Sequence, residues 1–421
     1  MLKQGFSRTK AACYAAYFTM SSVFSLPPLL FVTFHNTYGI SYTLLGTLVL
    51  INFCTQMAVD LIFTFFTKYF NVHKVVKVMP VITTLGLSLY ALAPVLFPNQ
   101  VFVGLVIGTV LFSVSAGLSE VLLSPVIAAI PSKNPQRDMS MLHSLYAFGV
   151  LFVVLTSTLF FILFGRSNWM YLTLFFAALP LLAAALFALS PMPPLSLTDS
   201  GEAKGSGGRR RILGLFLCTT CIFFGSCAEN VMSNWISGYM ENALRIDKSV
   251  GDVLGVAMFA VLLGLSRILY AKYGKRIWRT LMTGMVGAAA CYLIAGLCTH
   301  TVVALIACAM TGLFAAMLWP GSLILMEENL PGVGVAAYAL MAAGGDLGAS
   351  VAPQLMGIVV DRVAVNSLAA QLSAQTGLSP EQIGMKAGML VSACFPILGI
   401  VVLMILRRFL KRNGDEAGPE A

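Results

Sequence analysis

The sequence predicts an all-α membrane protein with twelve transmembrane helices in two pseudo-symmetric bundles of six. Of the 421 residues, 58% are hydrophobic and only 10% are charged. That is far too little polar surface to cover a soluble globule. Apolar stretches also recur along the whole chain, and each is long enough, at about 20 residues, to cross a bilayer as a helix.

The predicted spans follow one another with mostly short connections. In order they are residues 11–38, 42–67, 75–97, 101–130, 139–164, 168–190, 212–240, 250–270, 278–299, 301–326, 335–360 and 386–406. After the sixth span comes a polar segment rich in Pro, Gly and Ser, a composition typical of a flexible connector. We therefore predict a first bundle over residues 1–190, a cytoplasmic linker over 191–211, and a second bundle with a short cytoplasmic tail over 212–421.

Basic residues near the helix ends predict the orientation. With a cytoplasmic N-terminus, 20 of the 26 Lys and Arg residues fall in inside segments. This is the bias that positive-inside topology produces. The sequence thus predicts a multi-pass protein of the cell membrane with both termini in the cytoplasm. The net charge of +9 is explained by topology, and no nucleic-acid partner is expected.

A weak internal repeat supports two equivalent halves. Lys68-Tyr69 follows the second span, and Lys272-Tyr273 follows the eighth at an offset of 204 residues. Two parallel six-helix repeats are typical of transporters that bind their solute near the midplane, between the halves.

Glu120 is the only charged residue of the fourth span. An ionised side chain in hydrocarbon costs roughly 2.5 to 3.5 kcal/mol, so such a residue usually faces a wet cavity and handles ions or substrate. At helical spacing Ser113, Gly117, Glu120 and Ser124 share one stripe. We predict Glu120 as a proton-coupling acid and Ser124 as a solute contact. The structural alternative is an interhelical hydrogen bond.

The seventh span repeats the pattern. Asn230 and Ser233 share a polar stripe, with Glu229 and Trp235 beside it. We predict Glu229 as a second proton-coupling residue, and Asn230, Ser233 and Trp235 as solute contacts. A structural cap is the alternative for Glu229, and a place in an interfacial aromatic belt is the alternative for Trp235.

Two further side chains are predicted to contact the solute. Trp319 in the tenth span offers a flat apolar face and an indole N–H that donates to hydroxyls. His143 in the fifth span can relay a proton or bind a hydroxyl, with a neutral, hydrogen-bonded histidine as the equally weighted alternative.

The remaining charges inside the spans suggest structural roles. We predict that Arg267 in the eighth span pairs with Glu327 or Glu328 at the cytoplasmic end of the tenth, as an inner latch, with snorkelling to the membrane surface as the alternative. Asp60 and Asp346 lie deeper, and a coupling role and a packing role are equally open for both.

The sequence predicts no metal, cofactor or enzymatic chemistry. The nine cysteines lie almost wholly in apolar spans and are expected to be packing residues. The pair Cys218 and Cys221 has metal-site spacing but no further ligands nearby. A membrane-embedded enzyme or an ATP-driven pump would need motifs such as HExxH, GxSxG or a phosphate-binding loop, and the polar segments carry none.

Two groups of motifs resemble known families. Tyr273-Gly274-Lys275-Arg276 resembles the basic, glycine-containing turn that major facilitator superfamily transporters carry after helices two and eight. Within that superfamily, residues 117–125 around Glu120, residues 142–149 around His143, Trp319-Pro320 and the glycine-rich residues 344–361 are similar to segments of the fucose permease family. This resemblance implies the major facilitator fold and proton-coupled sugar symport.

Together these observations predict a monomeric secondary active transporter in a lipid bilayer. We expect a proton-coupled importer of a sugar or similar polyhydroxylated solute, with sodium as the alternative coupling ion. The rival hypothesis is a proton-coupled efflux antiporter of amphipathic drugs or metabolites. The Met and Phe content favours that rival, but the fifth span lacks the glycine-proline signature usual in drug antiporters.

Overall fold

The computed structural model describes residues 6–66, 69–132, 135–193, 209–274, 276–330 and 335–415. Within these ranges the secondary structure is helical, with no strand. The predicted all-α class is confirmed. The chain divides into two compact units, Met1–Asp199 and Ser200–Ala421. Lys68 and Lys275, which belong to the repeat and to the basic turn, lie outside the described residues.

The N-terminal unit contains six long helices. They are α1 (Ser7–Tyr38), α2 (Tyr42–Phe66), α3 (Val72–Leu96), α4 (Val101–Ala129), α5 (Pro135–Phe164) and α6 (Trp169–Ala188). Local sequence sets several of their ends. Gly39 ends α1 in the left-handed conformation, with φ of 66°, which glycine adopts without steric cost. Asn71 caps α3 by accepting a hydrogen bond from the Lys74 N–H.

The C-terminal unit is more segmented. Its α-helices are α7 (Arg209–Gly238), α8 (Lys248–Gly251), α9 (Met258–Tyr273), α10 (Ile277–Leu297), α11 (Thr301–Ala315), α12 (Leu318–Asn329), α13 (Val335–Ala364), α14 (Ser367–Thr376), α15 (Pro380–Ser392) and α16 (Cys394–Asp415). Two π-helical segments, Tyr239–Ala243 and Asp252–Ala257, extend α7 and join α8 to α9.

The twelve predicted spans all fall on helices, to within a few residues at each end. Ten helical segments of the described chain are long and apolar enough to cross a membrane, and an eleventh is added if α13 and α14, bent by 75°, count as one span. Helix α5 contributes a shorter apolar stretch, Phe148–Phe164. The tenth and twelfth predicted spans each consist of two α-helices, and the eighth consists of two α-helices joined by a π-helical segment. Each of these composites still counts as one candidate span. The chain is a multi-pass membrane protein.

Helices α3 and α4 pack almost backbone to backbone. A methyl group added at Gly86 would lie 2.5 Å from the Phe112 nitrogen, and one added at Gly108 would lie 2.8 Å from the Tyr90 nitrogen. Small residues that let helices approach closely are the usual basis of packing in membranes, where lipid removes the hydrophobic drive between helices.

We therefore expect Gly86→Ala to destabilise the N-terminal unit by about 1 to 3 kcal/mol, because the backbone atoms it meets cannot move aside as a side chain can. The thermal unfolding midpoint in detergent should fall. Gly264→Ala in α9 is the matched control, since its new methyl group would meet no atom within 4 Å. An equal midpoint for the two variants would show that the α3–α4 contact is not this close.

The first residues of the predicted linker pack on the N-terminal unit. The hydroxyl of Thr9 donates to the Pro191 carbonyl at 2.6 Å, and Nε2 of His73 lies 3.0 Å from the Pro193 carbonyl oxygen. Residues 191–193, which the sequence analysis assigned to the linker, are thus held against α1 and α3.

Candidate functional site

Glu120 lies on α4 with its side chain exposed. No ion pair joins it to a described residue. Two titratable side chains of the same unit lie near it, those of Asp60 on α2 and Tyr17 on α1. The structure thus brings Asp60, whose role the sequence left open, into the surroundings of Glu120. The arrangement is an accessible carboxylate with a second acid nearby and, among the described residues, no ion-pair partner.

The predicted polar stripe of α4 divides into two parts. Ser113 donates to the side-chain oxygen of Asn52 at 2.6 Å and is fully buried. Gly117 lies against α2, since an added methyl group would meet the Gln56 Cα at 3.2 Å. Glu120 and the half-buried Ser124 lie further along the same stripe and remain accessible. The first two residues therefore serve helix packing, and the last two are available to a ligand.

Glu229 and Arg267 form an ion pair within the C-terminal unit. Nη2 of Arg267 on α9 lies 3.3 Å from Oε1 and 3.5 Å from Oε2 of Glu229 on α7. The Glu229 side chain is 19% exposed and that of Arg267 is 43% exposed. Unlike Glu120, Glu229 therefore has its charge balanced by a neighbouring helix.

The predicted inner latch, in which Arg267 pairs with Glu327 or Glu328, is wrong. Arg267 pairs with Glu229, whereas Glu327 accepts a hydrogen bond from the Tyr338 hydroxyl of α13. Arg267 also donates through Nε to the Ala316 carbonyl at 2.9 Å. Glu327 lies eleven residues beyond Ala316, which is roughly 16 Å along a helix axis and out of reach of the same guanidinium. Glu328, one residue further, is exposed.

Trp319 lies directly after the break between α11 and α12. Its side chain is half-buried, and its ring packs on α13 at Gly345, where an added methyl group would lie 2.3 Å from the ring atom Cη2. Only a glycine leaves room for the indole at this position. The remaining exposed part of the ring is available to a ligand.

The other predicted contacts of span seven differ in their surroundings. Asn230 and Ser233 are half-buried. The Asn230 side chain donates to the Ser226 carbonyl at 3.1 Å, and the Ser233 hydroxyl donates to the Asn230 carbonyl at 3.3 Å. Trp235 is only 1% exposed and donates its indole N–H to the Pro353 carbonyl at 3.1 Å. Its indole therefore packs inside the unit. The His143 side chain lies outside what the structure describes.

A buried polar cluster in the C-terminal unit escaped the sequence analysis. Nζ of Lys248 lies 3.0 Å from Oδ2 of Asp252 and donates to the Ser237 hydroxyl at 2.8 Å. The two charged side chains are 4% and 1% exposed. Their i, i+4 spacing was a readable signal of an ion pair on one helix face. The cluster fastens the start of span eight to the end of span seven and leaves no open donor for a ligand.

Comparison with known proteins places the chain in a family. Residues 12–353 match the family model described as Major Facilitator Superfamily. No curated protein sequence matches the chain. Solved structures of similar fold include a bacterial homolog to the human lysosomal transporter Spinster, in an inward-facing and unoccupied conformation, at 13% identity and a TM-score of 0.75. It covers 97% of this chain and 98% of that one.

Two other structures extend the comparison. The nucleoside transporter NupG is 12% identical with a TM-score of 0.67, over 94% of this chain and 99% of that one. The xylose transporter XylE from E. coli, in a partially occluded inward-open conformation, is 14% identical with a TM-score of 0.68, over 94% and 96%. At these identities the similarity concerns the fold. Since the family model spans most of the chain, this protein belongs to the major facilitator superfamily, whose members carry small molecules across membranes.

Proposed function

We propose that this secondary transporter is a proton-coupled symporter of the cell membrane, that it imports a sugar or a similar polyhydroxylated solute, and that Glu120 is its coupling carboxylate. The observation that carries the proposal is the contrast between the two membrane acids. Glu120 is exposed and has no ion-pair partner among the described residues, whereas Glu229 is neutralised by Arg267.

The coupling step follows from the cost of an unpaired charge. An ionised carboxylate without a partner resists transfer into a closed, water-poor environment. Proton binding removes that charge without moving any other side chain. A transporter whose coupling acid is Glu120 would therefore close around its load when Glu120 is protonated, and release proton and load on the other side by alternating access. Asp60 adds to the cost of closing with Glu120 ionised, because two neighbouring carboxylates repel each other when both are ionised.

The chemistry of the accessible side chains supports a neutral hydroxylated solute. Within the C-terminal unit, Trp319 supplies an apolar ring face, and Asn230 and Ser233 supply amide and hydroxyl groups, all only half-buried. Within the N-terminal unit, Ser124 supplies a half-buried hydroxyl. Sugars present apolar C–H faces between hydroxyls, so they match aromatic stacking combined with hydrogen bonds. We include His143 as a further donor or acceptor. Trp235 is left out of the solute site, because its indole is used within the protein.

We expect Trp319→Ala to weaken solute binding by roughly 1 kcal/mol, on the scale of a lost aromatic contact. The measurement is the dissociation constant of a transported sugar, obtained by isothermal titration of the purified protein. Trp319→Phe is the matched control, since it keeps a flat ring and should retain part of the affinity. An unchanged dissociation constant in Trp319→Ala would remove Trp319 from the site.

The experiment that tests the proposed solute class is uptake into proteoliposomes with an inward proton gradient. Labelled neutral monosaccharides and labelled amphipathic cations are offered in separate reactions. The proposal predicts accumulation of at least one monosaccharide, which collapses when the gradient is dissipated. Expulsion of an amphipathic cation, with no sugar accumulated, would favour the antiporter instead.

A further inference from the structure

We infer that Arg267 is a positioning residue for the broken tenth span, because it replaces a backbone hydrogen bond that Pro320 removes and so fixes where Trp319 lies. The inference rests on contacts within the C-terminal unit alone. It holds whichever solute and ion the protein carries.

The break between α11 and α12 leaves one backbone carbonyl without its helical partner. In a helix the carbonyl of residue i accepts from the N–H of residue i+4. The residue four positions after Ala316 is Pro320, which has no N–H. Helix α11 ends at Ala315, and the regular pattern resumes when the Gly321 N–H donates to the Met317 carbonyl at 2.8 Å. The Ala316 carbonyl is therefore left without a helical donor.

The side chain of Arg267 supplies the hydrogen-bond donor that the Ala316 carbonyl lacks. An unsatisfied carbonyl at membrane depth is costly, and a neighbouring helix commonly supplies the missing partner. Here Nε of Arg267 on α9 donates to the Ala316 oxygen at 2.9 Å. The bond ties α9 to the break between α11 and α12.

Glu229 is the counter-ion of the Arg267 guanidinium. The guanidinium has five N–H donors in a fixed plane, so it can serve two acceptors at once. While Nε binds Ala316, Nη2 of the same group binds Glu229. Glu229, which the sequence suggested as a second coupling acid, thereby balances the charge that a hydrogen-bonding arginine brings into the span. Lysine carries its N–H donors on one terminal nitrogen, so it has no donor at the position of Nε and lacks the planar fork that reaches both acceptors here.

The position of the Trp319 ring depends on the backbone at Ala316. It lies three residues beyond Ala316, and its ring is seated on Gly345 with no space to spare. We therefore expect a change in the backbone at Ala316 to lift the indole from α13. Arg267 acts on the exposed face of Trp319 through the backbone, without contact to a solute.

The test follows the environment of Trp319 directly. The protein is labelled with 5-fluorotryptophan, and fluorine NMR resolves its four tryptophans; loss of one resonance in Trp319→Phe assigns Trp319. In Arg267→Met we expect the Trp319 resonance to move by more than its linewidth, while that of Trp169 in the N-terminal unit stays in place. In the Pro320→Ala background, where the helical N–H is restored, Arg267→Met should no longer move it.

An unmoved Trp319 resonance in Arg267→Met, or an equal movement with and without Pro320→Ala, would overturn the inference. Should Arg267→Met fail to fold, Arg267→Lys serves instead, because it keeps the charge beside Glu229 and lacks the Nε–H group that donates to Ala316. The resonance should move in that variant too, and its staying in place would show that charge alone positions span ten. Neither outcome depends on transport, so the proposal for Glu120 is tested separately.

Discussion

Glu120→Gln is expected to abolish uphill accumulation of solute while sparing exchange of labelled for unlabelled solute. Glutamine has nearly the shape of the protonated acid but cannot release a proton. The variant can therefore bind and change conformation with solute on both sides, yet it cannot draw energy from a proton gradient. Accumulation under an inward proton gradient and exchange at equal pH are measured on the same proteoliposomes.

The exchange assay is the internal control for folding, and Glu120→Asp is the matched variant. Aspartate keeps a titratable carboxylate one methylene shorter, so accumulation should persist at a lower rate. Normal accumulation by Glu120→Gln would show that another group, such as the neighbouring Asp60, carries the coupling proton.

The second large effect is expected for Arg267→Glu. This substitution places a carboxylate beside Glu229 and also removes the donor to Ala316. Initial uptake should fall by at least about tenfold. A tenfold change corresponds to roughly 1.4 kcal/mol, and breaking a partly buried ion pair costs more than that.

Two double variants decide between the observed pair and the predicted latch. Arg267→Glu with Glu229→Arg swaps the charges of the observed pair and should recover part of the uptake, though not the bond to Ala316. Arg267→Glu with Glu327→Arg should recover nothing, because Glu327 binds Tyr338. Recovery only in the second variant would reinstate the latch and contradict the observed pairing.

The positions of the helices were predictable from sequence, because about 20 apolar residues in a row leave the backbone only one way to satisfy its hydrogen bonds in lipid. Their internal breaks were harder to predict. Pro320 lies beside the break in span ten, yet Pro125 and Pro353 lie within unbroken helices. Neighbouring helices decide whether a proline bends a span or interrupts it, and single-sequence patterns do not show the neighbours.

The site was predictable in its residue types and not in its pairings. Membrane acids stand out in an apolar chain, which is how Glu120 and Glu229 were found. Which of them meets a cation depends on the rotation of α7 and α9 about their axes, and helical spacing fixes only relative angles within one helix. For the same reason, the pairing of Arg267 with Glu327 or Glu328, which was predicted from their expected depth, was wrong.

Polar stripes carried a similar ambiguity. Ser113 and Glu120 share a helix face in sequence, but α2 covers the first and leaves the second accessible. Ser237 shares the face of Asn230, yet it donates to Asp252 within a buried ion-pair cluster. A stripe of hydroxyls predicts that something polar faces it, and the structure decides between a ligand and another helix.

Proton symport through Glu120 is tested most directly by measuring proton movement when solute is added. Proteoliposomes in weakly buffered medium, without an imposed gradient, receive the sugar that the uptake screen selects while the external pH is recorded. We expect the external medium to become more alkaline as sugar and protons enter together, and no change with Glu120→Gln. Sugar entry without any pH change, or acidification of the medium as the sugar enters, would contradict proton symport through Glu120.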